Sequence, residues 1–141
     1  MSVLVGKKAP VFNSKAVVNG GEIVENFSLE QFVGEKYVVF FFYPADFTFV
    51  CPTEIAAMNA KYDEFQRLGV EILAVSVDSK FSHKIFAETE TILKGLKLMM
   101  GADSNQEVSR AFGVLVEEEG VGFAENYPSV LAVADKWKVH F

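Results

Sequence analysis

Residues 37–43 form an unbroken apolar run that is rich in β-branched and aromatic side chains and too short to cross a membrane. Such a run is typical of a β-strand buried on both faces of a sheet. A second β-branched run follows at residues 70–77. Between the two runs, apolar side chains recur at helical spacing from about Cys51 to Leu68, and Gly69 ends the pattern. The order strand, helix, strand predicts a βαβ unit with parallel strands.

Shorter patterns on both sides of this unit predict the remaining elements. Residues 7–12 and 16–24 are typical of short edge strands, and Asn19-Gly20 is a hairpin-turn signal. Ser28 can cap a short helical turn, and Asp78 or Ser79 can cap the helix after residue 77. The last predicted elements are a strand at 96–100, a helix at 104–112 capped by Asp103 or Ser104, a strand at 114–116 and a hairpin at 129–134 and 139–141.

These elements together predict the fold class. A βαβ core followed by a terminal β-hairpin indicates an α/β thioredoxin-like sandwich, in which helices flank a central mixed β-sheet. The 141 residues show no internal repeat and no linker, so we expect one domain over residues 1–141.

Composition and charge exclude several classes of function. The net charge of −6 at pH 7 argues against a nucleic-acid partner, because binding to phosphates needs a basic face. No window is long and apolar enough to span a bilayer, so no membrane partner is expected. The first eight residues lack the apolar core of a signal peptide, and a single cysteine cannot form an internal disulfide. A cytoplasmic location is therefore the default expectation.

Cys51 is the only cysteine, and the pattern places it where the first buried strand passes to a helix N-terminus. In open α/β sheets, functional sites gather outside the carboxyl ends of strands. A helix N-terminus also stabilises a thiolate through unpaired N–H groups and a positive partial charge.

The competing interpretation is a buried cysteine that acts as a small hydrophobe. Thr48 could aim its hydroxyl at the sulfur or only hydrogen-bond within the loop, and Pro44 could shield the loop or only end the strand.

The segment Pro44-x-x-x-Thr48-x-x-Cys51 resembles the active-site loop of peroxiredoxins, most closely the typical two-cysteine, alkyl hydroperoxide reductase type. The flanking segments agree with this resemblance, which is close through about residue 83 and looser beyond it. These segments are Lys8-Ala9-Pro10-x-Phe12 and Val75-Ser76-Val77-Asp78-Ser79-Lys80-Phe81-Ser82-His83.

The resemblance implies a thiol-dependent peroxidase that reduces hydrogen peroxide or organic hydroperoxides through a sulfenic acid on Cys51. Thr48 would hydrogen-bond the thiolate and the peroxide, and Pro44 would keep water from the sulfur. No metal or organic cofactor is implied. The expected partners are the peroxide, an external thiol or thioredoxin-like reductant, and further copies of the chain in a homodimer or larger homo-oligomer, with Phe47 and Phe81 as contact residues.

The sequence departs from the family pattern at three places. The family arginine falls at Ser129 or Ala124, depending on the alignment anchor, and the only arginines are Arg67 and Arg110. A resolving cysteine is absent from these 141 residues, and residues 119–128 do not follow the family pattern.

Glu54 lies one helical turn after Cys51 and in the family helps to hold the arginine; alternatively, it only complements the helix dipole. Without that arginine, a carboxylate at this position raises the pKa of the thiol. We therefore expect Cys51 to be less acidic and slower with peroxide than in complete family members.

Two other functions are compared with the peroxidase. A peroxiredoxin-like scaffold that acts by assembly or binding is favoured by the missing arginine, whereas the intact Pro44, Thr48 and Cys51 favour the enzyme. A thioredoxin-type disulfide reductase would need a second cysteine where Glu54 stands. His83 is predicted to lie at the surface or at an interface, away from the sulfur.

Overall fold

The structure of the protein is a computed structural model that describes residues 9–32, 35–43, 45–47, 51–116, 121–122, 130–133 and 139–140. Within these residues the chain forms nine strands, two 3-10 helices (Leu29–Phe32 and Thr91–Leu93) and four α-helices. The strands are β1 (Ser14–Val18), β2 (Glu22–Phe27), β3 (Tyr37–Phe42), β4 (Val70–Ser76), β5 (Met99–Ala102), β6 (Leu115–Val116), β7 (Val121–Gly122), β8 (Val130–Val133) and β9 (Val139–His140). The α-helices are α1 (Cys51–Ala60), α2 (Tyr62–Arg67), α3 (Lys80–Thr89) and α4 (Glu107–Ala111).

Seven of the strands form one mixed sheet in the order β2-β1-β5-β4-β3-β8-β9. The pairs β3–β4 and β4–β5 are parallel, whereas β1 pairs antiparallel with β2 and β5, and β8 pairs antiparallel with β3 and β9. The predicted parallel βαβ unit and the terminal hairpin are therefore confirmed. Strands β6 and β7 form a separate antiparallel pair.

Two predictions at the start of the chain need correction. Residues 9–12 form no strand, and the following hairpin begins at Ser14. Its strand β1 is not an edge strand, because β5 pairs with it on the side opposite β2. The predicted turn is confirmed at Asn19, which has a φ of 52°.

The single helix predicted up to Leu68 is two helices, because the chain leaves α-geometry at Lys61. Lys61 has φ −98° and ψ 4°, and its N–H donates to the carbonyl of Met58, three residues earlier, at 3.2 Å. Neither proline nor glycine marks this break, so the apolar periodicity runs through it unchanged. Gly69 ends the second helix with a φ of 74°, as predicted.

Each face of the sheet carries its own hydrophobic core. Alternate residues of β3 point to opposite faces, with Phe40 and Phe42 in one core and Phe41 and Tyr43 in the other. The first core also receives Phe112, and the second receives Ile55 of α1 and Phe86 of α3. Burial on both faces explains why β3 has a continuous apolar sequence.

The parallel strands β3, β4 and β5 end at the same edge of the sheet, at Phe42, Ser76 and Ala102. The loop that leads to α1 and the start of α3 both lie beyond this carboxyl edge. None of the helices in the described parts of the chain is long and apolar enough to span a membrane.

Candidate active site

Helix α1 begins at Cys51, nine residues after the last residue of β3. The helix has ten residues, so its first N–H groups lack helical partners and its dipole presents a positive end at Cys51. Pro52, in the first turn, is buried and removes no helical hydrogen bond. The predicted helix start at Cys51 is therefore present in the fold, and it is the position that favours a thiolate.

Of the other predicted site residues, the structure describes Glu54 but not Pro44 or Thr48. Pro44 and Thr48 lie outside the described residues, and so do Ser129 and Ala124, the two alternative positions of the family arginine. Glu54 lies in the first turn of α1 and its side chain is exposed. The roles assigned to Pro44, Thr48, Cys51 and Glu54 therefore stay predictions.

A buried polar cluster lies between the end of β3 and α3, and the sequence analysis missed it. The Tyr43 hydroxyl donates to Oδ1 of Asp46 at 2.6 Å, and the Ser82 hydroxyl donates to Oδ2 at 2.9 Å. Nδ1 of His83 lies 2.8 Å from the same Oδ2 and 3.2 Å from the Tyr43 hydroxyl. We call Tyr43, Asp46, Ser82 and His83 the anchoring cluster.

The backbone of Asp46 is held as well as its side chain. Its N–H donates to Oδ2 of Asp78 at 2.8 Å, and the Ser76 hydroxyl donates to the same oxygen at 2.5 Å. Asp78 therefore does not cap α3. The cap is Ser79, whose hydroxyl accepts the N–H of Ser82 at 3.1 Å. The alternative that named Asp78 as the cap is wrong, because its carboxylate is used by the β3–α1 loop.

The prediction that His83 lies at the surface or at an interface is wrong. The side chain is completely buried, and its Nε2 lies 3.0 Å from the carbonyl oxygen of Gly101 in β5. His83 and Asp46 are 37 residues apart, so no local pattern links them. The one available signal was topological, since both residues follow the carboxyl ends of adjacent parallel strands.

Burial raises the pKa of the Tyr43 phenol well above its usual value, and the negative charge of Asp46 raises it further. The phenol therefore keeps its proton at neutral pH and serves as a hydrogen-bond donor to Asp46. The Asp46 side chain has no solvent exposure, so these donors replace the water that it would otherwise bind.

Phe47 directly follows Asp46 and has a φ of 61°, in the left-handed region that a phenylalanine rarely adopts. Its ring packs edge-on against Phe86 of α3, with the ring centroids 4.9 Å apart. Such a conformation costs on the order of 1–3 kcal/mol and persists where surrounding contacts hold it. The described part of the loop is therefore fixed against α3 at two successive residues.

Asp46, Asp78 and His83 are also the one group of described residues whose ligand atoms lie close enough together to hold a metal, within 4.8 Å of one another. Protein donors already occupy these atoms, as the contacts of Asp46 and Asp78 show. The cluster fits a hydrogen-bonded loop anchor, and we assign no metal to it.

The chain is similar to known proteins both in sequence and in fold. The sequence model of the AhpC/TSA family matches residues 5–140. The chain is 46% identical over 121 residues to the chloroplastic 2-Cys peroxiredoxin BAS1 of Hordeum vulgare, covering 84% of this chain and 57% of that protein. It is 45% identical over 124 residues to the thioredoxin peroxidase of Echinococcus granulosus, covering 86% of this chain and 63% of that protein. The chain thus spans about three fifths of the length of these relatives.

Solved structures agree with the sequence relatives. The crystal structure of Enterococcus faecalis AhpC superposes with a TM-score of 0.89 at 36% sequence identity, covering 99% of this chain and 80% of that one. The predicted thioredoxin-like fold class is confirmed by this superposition. Because the family model matches nearly the whole sequence, and because relatives and fold agree with it, the chain belongs to the AhpC/TSA family and groups with the two-cysteine peroxiredoxins.

Proposed function

We propose that the protein is a thiol-dependent peroxidase in which Cys51 is the oxidised residue. The observation that carries the proposal is the start of helix α1 at Cys51, beyond the carboxyl edge of the sheet, in a chain of the AhpC/TSA family. The thiolate attacks one oxygen of the peroxide, and the O–O bond breaks as the S–O bond forms. The sulfur becomes a sulfenic acid, and the departing oxygen takes a proton to leave as water or an alcohol.

The loop residues that precede Cys51 have roles in this proposal. Thr48 orients the peroxide and hydrogen-bonds the thiolate, and Pro44 limits the access of water. Glu54 lies one turn along α1 and is exposed, so its carboxylate acts on Cys51 only through a solvent-screened charge.

The second half of the cycle needs an external reductant, because these 141 residues contain a single cysteine. Two thiols of the reductant reduce the sulfenic acid to the thiol, and they leave as a disulfide with release of water. The Echinococcus granulosus relative is named a thioredoxin peroxidase, which supports a thioredoxin-like reductant. We extend the proposal to an antioxidant role in the cytoplasm.

We also propose that the protein assembles as a homo-oligomer. Large apolar side chains are exposed on the loop and on α3: Phe47 is 56% exposed, Phe81 60% and Ile85 54%. Phe81 and Ile85 are four residues apart on α3, so they share one face of the helix. Exposed apolar residues that lie together are typical of contact surfaces.

Stopped-flow mixing of the reduced protein with hydrogen peroxide tests the enzymatic proposal. We expect peroxide-dependent oxidation of one thiol per chain, and its complete loss in Cys51→Ser. Thiol counting after the reaction identifies the oxidised residue, since no other cysteine contributes. Equal consumption of peroxide by the two proteins, at the rate of buffer alone, would instead favour the scaffold function.

A further inference from the structure

The loop that leads to Cys51 is bound by residues of α3 and of the turn before it, and not only by the end of its own strand β3. Asp46 lies five residues before Cys51. Its carboxylate is bound by Tyr43 and by two side chains of α3, and its N–H is bound by Asp78 in the turn between β4 and α3. Helix α1 packs separately, through Ile55, into the core below. Only four residues separate Asp46 from Cys51, so the place where the chain leaves the anchoring cluster limits where α1 can begin.

His83 completes the hydrogen bonds of the anchoring cluster through both ring nitrogens. The Gly101 carbonyl can only accept, so Nε2 carries a proton and donates it at 3.0 Å. The 2.8 Å contact between Nδ1 and Asp46 is a hydrogen bond only if a proton lies between these two atoms. The imidazole therefore lies between β5 and the loop, with Nε2 facing Gly101, and Nδ1 facing Asp46 and the Tyr43 hydroxyl.

Among the described contacts of Asp46, the one with His83 connects the loop to the most distant element, because the same ring also contacts Gly101 in β5. Tyr43 extends the strand that leads into the loop, with its N–H donating to the Val75 carbonyl at 3.0 Å. Ser82 is half-buried and holds Asp46 through a single hydroxyl. His83 is rigid because its ring is completely buried and bound on both sides. The left-handed Phe47 beside Asp46 adds strain that this attachment holds in place.

We propose that His83 is a positioning residue for Cys51: by binding Asp46 it holds the β3–α1 loop in the geometry that lowers the pKa of the thiol and aligns it with peroxide. The proposal rests on the proposed peroxidase function. It assigns the two ring nitrogens different effects. The Nδ1 contact to Asp46 acts on the loop directly and sets the reactivity of Cys51, whereas the Nε2 contact to Gly101 fixes the ring and has a smaller effect on reactivity.

A pair of substitutions separates the two nitrogens. In His83→Asn the amide group can take the place of Nδ1 and keep the bond to Asp46. In His83→Gln it reaches the place of Nε2 and keeps the bond to Gly101. Both remove a buried ring, so both destabilise the protein. We expect His83→Asn to react with peroxide within about threefold of the unsubstituted protein, and His83→Gln to lose roughly tenfold or more, since small misplacements carry such losses.

The pH dependence of Cys51 alkylation by iodoacetamide is the second measurement, and the single cysteine makes it specific. We expect the midpoint of the pH profile to move toward about 8.5, the value of a free thiol, in His83→Gln and to move little in His83→Asn. Ser79→Ala is the matched control, because it removes the cap of α3 and its hydroxyl takes part in none of the described contacts of Asp46. Its stability should fall while its alkylation profile stays unchanged.

Three results would overturn the proposal: equal effects of the two His83 substitutions, unchanged reactivity in both, or a loss in Ser79→Ala that matches the loss in His83→Gln. If His83→Gln does not fold, Ser82→Ala removes one hydroxyl donor from Asp46 and should slow the peroxide reaction about threefold. An unchanged rate in Ser82→Ala would overturn the premise that the hold on Asp46 sets the reactivity of Cys51, and the proposal with it. If the peroxidase proposal itself is wrong, the unsubstituted protein will not react with peroxide. The alkylation profiles would then still decide the role of His83.

Discussion

Two charges act on the Cys51 thiol in opposite directions. The N-terminus of α1 favours the thiolate, because unpaired N–H groups and the helix dipole stabilise a negative charge there. Glu54 opposes it, because a carboxylate three residues along the helix lies on the same face. Solvent screens the charge of the exposed Glu54 and so weakens its effect on the pKa of the thiol. The helix end acts directly at Cys51, because Cys51 is the first residue of the helix. The thiol is therefore expected to be moderately acidic, and a measured pKa below about 6 would contradict this.

Replacing Glu54 by glutamine should lower the pKa of Cys51, because it removes the opposing charge and keeps the side-chain shape. The expected shift is a few tenths of a pH unit, roughly the size of other exposed helix-pair interactions, and it should disappear in concentrated salt. Ultraviolet absorbance of the thiolate as a function of pH measures it. Glu64→Gln changes the net charge equally on an exposed face of α2 and should leave the titration unchanged. A pKa that rises in Glu54→Gln would show that the carboxylate supports the thiolate.

Short helices at the carboxyl edge of the sheet depend on side-chain acceptors for their first turns. Helix α4 has only five residues, and the carboxylate of Asp103 accepts the N–H groups of Val108 at 2.9 Å and Ser109 at 2.7 Å. The N–H of Asp103 itself donates to the Ser76 carbonyl at 2.8 Å, which ties this helix to the end of β4. Asp103 therefore connects two elements: its side chain binds α4 and its backbone N–H binds the end of β4.

Asp103→Ala should destabilise the protein by about 2 kcal/mol, because two buried N–H groups lose their acceptor. Urea unfolding followed by circular dichroism measures the loss. Glu107→Ala changes an exposed carboxylate at the start of the same helix and should cost less than about 0.5 kcal/mol. Equal losses in the two variants would mean that the helix dipole, and not the buried hydrogen bonds, accounts for the role of Asp103.

At the scale of the whole molecule, the sheet lies between two hydrophobic cores, and its strands contribute side chains to both of them. Phe40 is completely buried in the first core, stacks on Phe112 at a centroid distance of 4.9 Å and meets Phe12 edge-on at 5.8 Å. The next residue, Phe41, belongs to the core that also contains α1 and α3. The packing of β3 therefore supports the position from which the active-site loop begins.

Phe40→Ala should destabilise the protein by about 3–5 kcal/mol, a large part of the stability of a typical domain. The loss arises from the buried area, the aromatic contacts and the cavity left behind. Chemical denaturation measures it, with Leu68→Ala as the control, because Leu68 is 74% exposed and should tolerate truncation. A loss below about 1 kcal/mol would show that the first core repacks around the cavity.

Local patterns predicted most of the elements, because these depend on neighbours in the sequence, and the role of Cys51 as the nucleophile stays a prediction. The apolar run at 37–43 predicted β3, the β-branched run at 70–77 predicted β4, and the change of periodicity placed a helix start at Cys51. The break at Lys61 escaped prediction because apolar spacing continues through it.

What the sequence by itself determined is the succession of strands and helices, the family and the place of the single cysteine at a helix start. Only the tertiary structure decided that Asp78 binds the loop instead of capping α3, that β1 lies inside the sheet, and that His83 is buried against Asp46. The physical reason is that these choices depend on which strand ends meet at one edge of the sheet. A buried polar side chain takes the partner that the fold brings to it, and that partner can lie anywhere along the chain.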